Sequence, residues 1–287
     1  MNPIVLCFAD GTTFFVGLAI VLVGEALLFG LNRRALRSLV SLVVVVGMIM
    51  VAISATPLPG WLYAVWAIPA ILGLLLCGRE KTPKKLRISV FLALLATTAG
   101  LYAWEIPYHR VPTVTITDDT TIYVLGDSIS AGTGSGSGVR CWPEVLSEKI
   151  SIEVVNLASD GSRIGVAARQ AEGVARPRSL VIVEIGGIDM LEGVDARLYH
   201  EKIDALVASL RADNHQVLIV EFPLFPTKNG YGRAQRKIAA DHGATLLPKR
   251  CFTKVLGTTE GTLDGLHLSQ IGHDTMAAIM ARVIRKD

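Results

Sequence analysis

At 287 residues the chain can hold one large domain or two ordinary ones. A hydrophobic fraction of 51% and a mean hydropathy of +0.47 are high for a soluble protein, and a net charge of +3 does not ask for a nucleic-acid partner. The apolar excess is concentrated before Trp104, which excludes a chain that is evenly soluble from end to end.

The stretches FFVGLAIVLVGEALLFGL, LVSLVVVVGMIMVAISA, WLYAVWAIPAILGLLLCG and ISVFLALLATTAGLYAW follow one another with short polar breaks. Each has about the length that crosses a hydrocarbon core of roughly 30 Å as a helix, so the pattern predicts transmembrane helices over 12–31, 38–56, 61–78 and 88–105. A cleaved signal peptide would need a basic start and a single apolar run, and MNPIVLCFAD carries no Lys or Arg. A soluble bundle would show polar faces at helical spacing, whereas these runs are apolar all round.

Orientation follows from the cations. The first connection carries Arg33, Arg34 and Arg37, the third carries Arg79, Lys81, Lys84, Lys85 and Arg87, and the second, TPLPG, carries none. The positive-inside rule then puts the first and third connections in the cytoplasm and both the N-terminus and everything after Trp104 outside, as in a bacterial inner membrane protein. These juxtamembrane cations account for the net positive charge. Glu25 falls inside the first span, where a carboxylate is a functional candidate by position; its closeness to Arg33 and Arg34 favours snorkelling or a local ion pair. Gly17, Gly24 and Gly47 are small enough to let helices approach closely. Cys7 and Cys77 read as small apolar residues, while Cys141 and Cys251 face an oxidising compartment on this topology and are candidates for a disulfide.

The expected organisation is a membrane domain over 1–106, a Pro-containing linker over 107–118 and a soluble domain over 119–287. In the soluble part TIYVLGDS, IEVVNLA, LVIVEIGG, QVLIVEFP and ATLLP read as strands. They alternate with the helical patterns PEVLSEKI, RIGVAARQAEGVA, ARLYHEKIDALVASLRAD and RAQRKIAADHG, and SQIGHDTMAAIMARVIRK reads as a last helix capped by Ser269. Such alternation predicts an α/β fold with a short parallel sheet between helical layers. Sites in these sheets form at the carboxyl ends of strands, where Gly126, Asp127, Ser128, Gly161, Gly186, Gly187 and Asp189 stand.

Gly126 permits a sharp turn as its strand ends and leaves Ser128 with an exposed hydroxyl. A serine needs a base, and the base needs a third group to fix its tautomer. LDGLHLS supplies Asp264 and His267 on one tight turn, and the chain order Ser, Asp, His suits a triad on an α/β sheet. The histidines show no metal spacing: His267 and His273 are separated along the chain, and His200, His215 and His242 fall on other segments, with His273 read as a surface or packing residue. SAGTGSGSG lacks the ending of a phosphate loop and reads as a flexible lip of the site.

The blocks GDSIS, NLASDG, GGID and DGLH, in this order and on these elements, resemble those of the SGNH hydrolases, also called the GDSL family. The resemblance runs from Thr117 to the end. With WPEVL, VVNLA and EIGGID it is similar to the bacterial periplasmic thioesterase and lysophospholipase type. It implies a flavodoxin-like three-layer sandwich behind the four-helix membrane domain. It implies Ser128 as nucleophile, His267 as general base and acid, and Asp264 as orienting carboxylate. The backbone N–H groups of Ser128 and Gly161 are implied as oxyanion donors, with Asp127, Gly187 and Asp189 in support. The family's third donor is an asparagine, and here Ile188 occupies that position. Isoleucine cannot donate, so the hole works with two donors, borrows a group such as Asn156 or Ser162, or belongs to a catalytically weak relative.

The expected activity is therefore serine ester hydrolysis through an acyl-enzyme, with no cofactor or metal. The substrate expected is an acyl lipid or lysophospholipid at the membrane. The alternatives are an O-acetylated cell-wall or exported polysaccharide, or a domain that only binds or senses a ligand; acyl transfer ranks below these.

Overall fold

The computed structural model describes residues 3–31, 33–77, 82–134 and 138–287. Arg79 and Lys81 of the third connection, and residues 135–137 of the glycine-rich lip, lie outside the described residues. The chain divides into two compact units, one made mainly of Cys7–Tyr108 and the other mainly of His109–Leu224 and Gly230–Asp287.

Helix α1 is Pro3–Ala9, and the long helices α2 (Thr12–Gly30), α3 (Arg34–Ile53), α4 (Gly60–Cys77) and α5 (Lys84–Glu105) follow. The last four are long and apolar enough to cross a membrane. Helix α2 packs against the other three, with Phe14, Leu18 and Val21 fully buried. Its glycines explain the close fit. A Cβ on Gly17 would stand 2.8 Å from the Gly47 carbonyl oxygen, and one on Gly24 would stand 2.4 Å from Val44 Cγ2.

Glu25 behaves differently from the snorkelling or ion-paired residue expected. It is only 3% exposed, and it faces α4, where a Cβ on Gly73 would come within 2.5 Å of its Oε2. Among the described residues Oε1 meets no hydrogen-bond donor, and Arg33 and Arg34 are exposed. The side chain points between helices while both arginines project outward, which is why the pair does not form.

A 3-10 turn at Ile106–His109 ends the first unit, and the first strand of the second is β1 (Val114–Ile116). Next come β2 (Ile122–Gly126), α6 (Ser128–Ala131), α7 (Trp142–Ile150), β3 (Val154–Asn156), α8 (Ile164–Ala171), β4 (Leu180–Glu184) and α9 (Gly187–Leu191). The remainder is α10 (Ala196–Ala212), β5 (Gln216–Val220), α11 (Asn229–Asp241), β6 (Thr245–Leu247), α12 (Lys249–Gly257), α13 (Gln270–Val283) and β7 (Ile284–Lys286). Two differences from the expected pattern stand out. The segment read as linker contains β1, and the segment read as the end of the last helix contains β7. The two pair in parallel, Val114 opposite Ile284, and bury Val114 and Ile116 of β1 and Ile284 of β7. Helix α12, whose buried face includes Phe252 and Val255, is a further element beyond the expected pattern.

The main sheet is parallel throughout, in the order β3-β2-β4-β5-β6. Numbered within itself this is 2-1-3-4-5, the flavodoxin-like order, so a crevice opens where β2 and β4 send the chain to opposite sides. Strands β2 and β4 are buried at every position, as expected of a sheet covered on both faces. Helix α13 packs with α7 and α12, and α8 packs with α10.

Cys141 and Cys251 are both free and buried, so the anticipated disulfide is not formed. Their places in the fold explain it. Cys141 precedes α7 and touches Asn156 of β3 at one edge of the sheet, while Cys251 lies in α12, which follows β6 at the other.

Candidate active site

Strand β2 ends at Gly126, and the backbone there has no room for a side chain. A Cβ would lie 2.7 Å from Ser130 Cβ and 3.0 Å from the Glu184 carbonyl oxygen. The next residue, Asp127, caps α6 by accepting the Ile129 N–H at 3.0 Å. Ser128 is therefore the first residue of a helical turn, where the helix makes no use of its N–H; at 6% exposure it is buried rather than exposed as expected, because α6 folds back over the strand end.

The second half of the site is the turn that starts at Asp264. Its Oδ1 accepts the N–H groups of Leu266 at 2.9 Å and His267 at 2.8 Å, and its Oδ2 lies 2.7 Å from His267 Nδ1. Gly265, at φ +91°, supplies the left-handed residue that the turn needs, and Leu263 N–H closes it on the His267 carbonyl at 2.8 Å. The hydrogen bond from His267, followed by those from the backbone, holds the Asp264 carboxyl well below the usual range, so it stays ionised. With Nδ1 engaged, Nε2 is the free face of the imidazole. Gly134, on the segment after α6, packs its backbone against that ring: a Cβ there would be 3.5 Å from His267 Cγ. Gly134 follows the end of α6 by three residues, so the segment after Ser128 and the Asp264 turn share one locality.

Gly161 sits in an exposed turn with φ +66°, and a Cβ there would meet nothing within 4 Å, which leaves open space beside its backbone. Ile188 is in α9, half-buried, directly after Gly187. The two polar stand-ins for the missing asparagine are both engaged elsewhere. The Asn156 amide donates to the Ser130 carbonyl at 2.8 Å and to Cys141 Sγ at 3.6 Å. Ser162 is buried, 2.7 Å from Ser159 Oγ and 3.1 Å from Gln170 Nε2.

Asp189 accepts the Ile164 N–H at 2.9 Å and ties α9 to the start of α8; burial pushes its carboxyl upward. Gly187 lies against Asp127, with a Cβ position 3.7 Å from its Oδ2. These residues brace the loops of the crevice.

Beneath Ser128 lies a buried network that the sequence did not single out. Glu184, at the end of β4, accepts Ser130 Oγ at 2.7 Å and the Asp127 N–H; Ser130 Oγ in turn accepts Trp142 Nε1 at 3.1 Å. His273 is fully buried, the packing alternative of the two expected. Its Nδ1 accepts the Trp142 N–H at 3.2 Å, and burial lowers its pKa. Burial first, then the neighbouring Asp127 charge, pushes Glu184 well above the carboxylate range, and burial pushes Asp127 up in the same way.

This has a measurable consequence. Between about pH 4.3 and the folded titration point, the unfolded chain has lost a proton that folded Glu184 keeps, so stability falls as pH rises, by up to about 1.4 kcal/mol per pH unit. Glu184→Gln keeps a carbonyl oxygen for Ser130 and removes that titration. From about pH 5 to about pH 8 the unfolding midpoint of the parent chain in detergent should drop relative to that of the variant. Parallel curves would mean that Glu184 is ionised in both states.

Residues 124–275 match the GDSL-like lipase/acylhydrolase family. The chain is 28% identical to esterase TesA of Pseudomonas aeruginosa over 161 residues, which cover 51% of this chain and 79% of the relative. It is 24% identical to thioesterase 1/protease 1/lysophospholipase L1 of Escherichia coli over 200 residues, covering 65% of this chain and 94% of the relative. In three dimensions it is similar to the psychrotrophic esterase EstA of Pseudoalteromonas sp., solved with monoethylphosphonate as inhibitor. There the TM-score is 0.52 at 22% identity, over 57% of this chain and 96% of that one. More than half of the chain thus carries the family's sequence pattern on the family's fold, and the protein belongs to the GDSL-like lipase/acylhydrolase family of serine hydrolases acting on ester bonds.

Proposed function

We propose that the protein is a membrane-anchored, extracytoplasmic serine esterase acting on acyl lipids or lysophospholipids. The observation that carries the catalytic part is the Asp264 to His267 bond at 2.7 Å, made by a turn whose imidazole packs against Gly134, on the segment that follows Ser128 and α6. His267, held in one tautomer by Asp264, takes the proton of Ser128 as Oγ attacks the ester carbonyl. The oxyanion rests on the N–H groups of Ser128 and Gly161. His267 returns the proton to the leaving alcohol, and water repeats the sequence on the acyl-enzyme. Losing an oxyanion donor costs about 100- to 1000-fold in other enzymes, a loss that total accelerations of about a million-fold or more can absorb.

Membrane anchoring is supported by the four apolar helices, and the extracytoplasmic location by the arginines and lysines of the first and third connections. The lipid reading is supported by Leu263 and Leu266, both exposed beside the Asp264 to His267 pair, which offer an apolar rim to an acyl chain. The relatives' names, esterase and lysophospholipase, point the same way.

The test is a chain-length series of p-nitrophenyl esters, acetate through palmitate, on the full chain in detergent, with fluorophosphonate labelling mapped by mass spectrometry. Labelling at Ser128 with preference for long chains supports the proposal. Preference for acetate would replace the lipid with an O-acetylated glycan, and an unlabelled, inactive chain would favour a ligand-binding domain and make Ile188 the reason.

A further inference from the structure

Strand β3 accompanies β2 only as far as Val124, opposite Asn156, and after Leu157 N–H reaches the Val124 carbonyl at 2.9 Å the two part. Gly126 is thus left with an edge N–H and an edge carbonyl that no further strand residue pairs in register. Both are met by the side chain of one residue from α8. Gln170 Oε1 accepts the Gly126 N–H at 3.1 Å, and Gln170 Nε2 donates to the Gly126 carbonyl at 2.9 Å. The buried amide thereby acts as a one-residue extension of β3.

Its second amide hydrogen points elsewhere. Gln170 Nε2 is 3.2 Å from Ser159 Oγ and 3.1 Å from Ser162 Oγ, and these hydroxyls, 2.7 Å apart, stand on either side of Gly161 in sequence. The same turn also touches Gly126 directly, through the Ser159 N–H at 3.3 Å. One side chain therefore joins the segment that leads into Ser128 to the turn that carries Gly161.

We propose that Gln170 is a positioning residue for the oxyanion hole, setting the separation of the Ser128 and Gly161 N–H groups in a chain whose third donor position is Ile188. This rests on the reading of those two groups as the oxyanion donors. With an asparagine at position 188, a side chain could adjust to the oxyanion. With isoleucine, the hole depends on two backbone groups from separate loops, and neither can move without its loop. A displacement on the order of 1 Å in a catalytic group costs about 100-fold in rate. A side chain that only satisfied an edge strand would need its bonds to Gly126 but not those to the two serines.

The experiment uses the full chain in detergent, with kcat expressed per fluorophosphonate-labelled site so that misfolded protein is not counted. Gln170→Met keeps length and apolar bulk but loses all four hydrogen bonds. The double variant Ser159→Ala with Ser162→Ala leaves the Gly126 bonds and removes the link to the turn together with the hydroxyl bond between the two serines, while the Ser162 N–H still closes the turn on the Ser159 carbonyl at 3.3 Å. Both should lower kcat per site by about 10- to 100-fold with KM changed by less than about threefold, since the hole acts on the transition state. Adding Ile188→Asn, which supplies a side-chain donor, should restore kcat in the Gln170→Met background by at least about fivefold more than it raises kcat in the parent. The proposal is overturned if the double-serine variant keeps the parent kcat, if KM carries the loss, or if Ile188→Asn has the same effect in both backgrounds. Each of these can occur while turnover remains strictly dependent on Ser128, so failure of this inference is distinct from failure of the esterase reading. If Ser128→Ala turns over like the parent, both fall.

Discussion

Alanine at position 128 is expected to lower kcat for ester hydrolysis by on the order of 10,000- to 1,000,000-fold, the loss seen when other serine hydrolases lose their nucleophile. The substitution removes one oxygen and leaves the surroundings in place. Asp127 still caps α6 through the Ile129 N–H, and the Ser128 carbonyl still accepts the Thr133 N–H at 3.0 Å. Because the N–H of residue 128 survives, both proposed oxyanion donors remain. Residual turnover should therefore be that of an ester polarised in the site and attacked by water, and fluorophosphonate labelling should disappear. KM for a p-nitrophenyl ester should change little, because Oγ contributes to bond making rather than to acyl binding. A Ser128→Ala chain that kept more than about 1% of parent kcat, with other esterases removed, would place the nucleophile elsewhere.

The parts of this molecule that were readable beforehand are those whose cause is local. A strand that stops at glycine, an Asx turn that joins Asp264 to His267 across three residues, and helices apolar on every side all declare themselves within one stretch of chain. The parts that were not readable depend on partners distant in sequence. Gln170 reaches Gly126 across 44 residues, and Ser130 reaches Glu184 across 54. In sequence, Gln170 is one polar residue in a short helix and Glu184 one carboxylate at a strand end. The signal that could have found Glu184 is its place at the close of an otherwise apolar central strand, where a carboxylate must be either paired or protonated. No comparable signal marks Gln170. The pairing of β1 with β7 is not legible in sequence for the same reason, since each is three residues long and becomes a strand only beside the other. Glu25 and the Cys141 and Cys251 pair show the converse. Proximity in sequence or a shared compartment suggests partners, whereas the burial of Glu25 against α4 and the places of the two cysteines at opposite edges of the sheet decide otherwise.

Asparagine at position 264 should be the second most damaging change, lowering kcat by about 100- to 10,000-fold while the protein remains folded. Asparagine has the same shape as aspartate, and its Oδ1 can still accept the Leu266 and His267 N–H groups that shape the turn. What changes is the atom facing the imidazole. Asp264 Oδ2 can only accept, so His267 Nδ1 must carry the hydrogen and Nε2 is left as a base. An asparagine NH2 in that place donates to Nδ1, which drives the hydrogen to Nε2, and an imidazole protonated at Nε2 cannot take the proton of Ser128. The carboxylate charge that stabilises the imidazolium in the transition state is lost as well. Asp264 is 56% exposed, so water can take over part of both roles, which sets the lower end of the range. Asp264→Ala, which also abandons the two backbone donors of the turn, should lose at least as much activity and some thermal stability besides. A turnover by Asp264→Asn within about tenfold of the parent would mean that the tautomer of His267 is set by another group, and that Asp264 serves the turn alone.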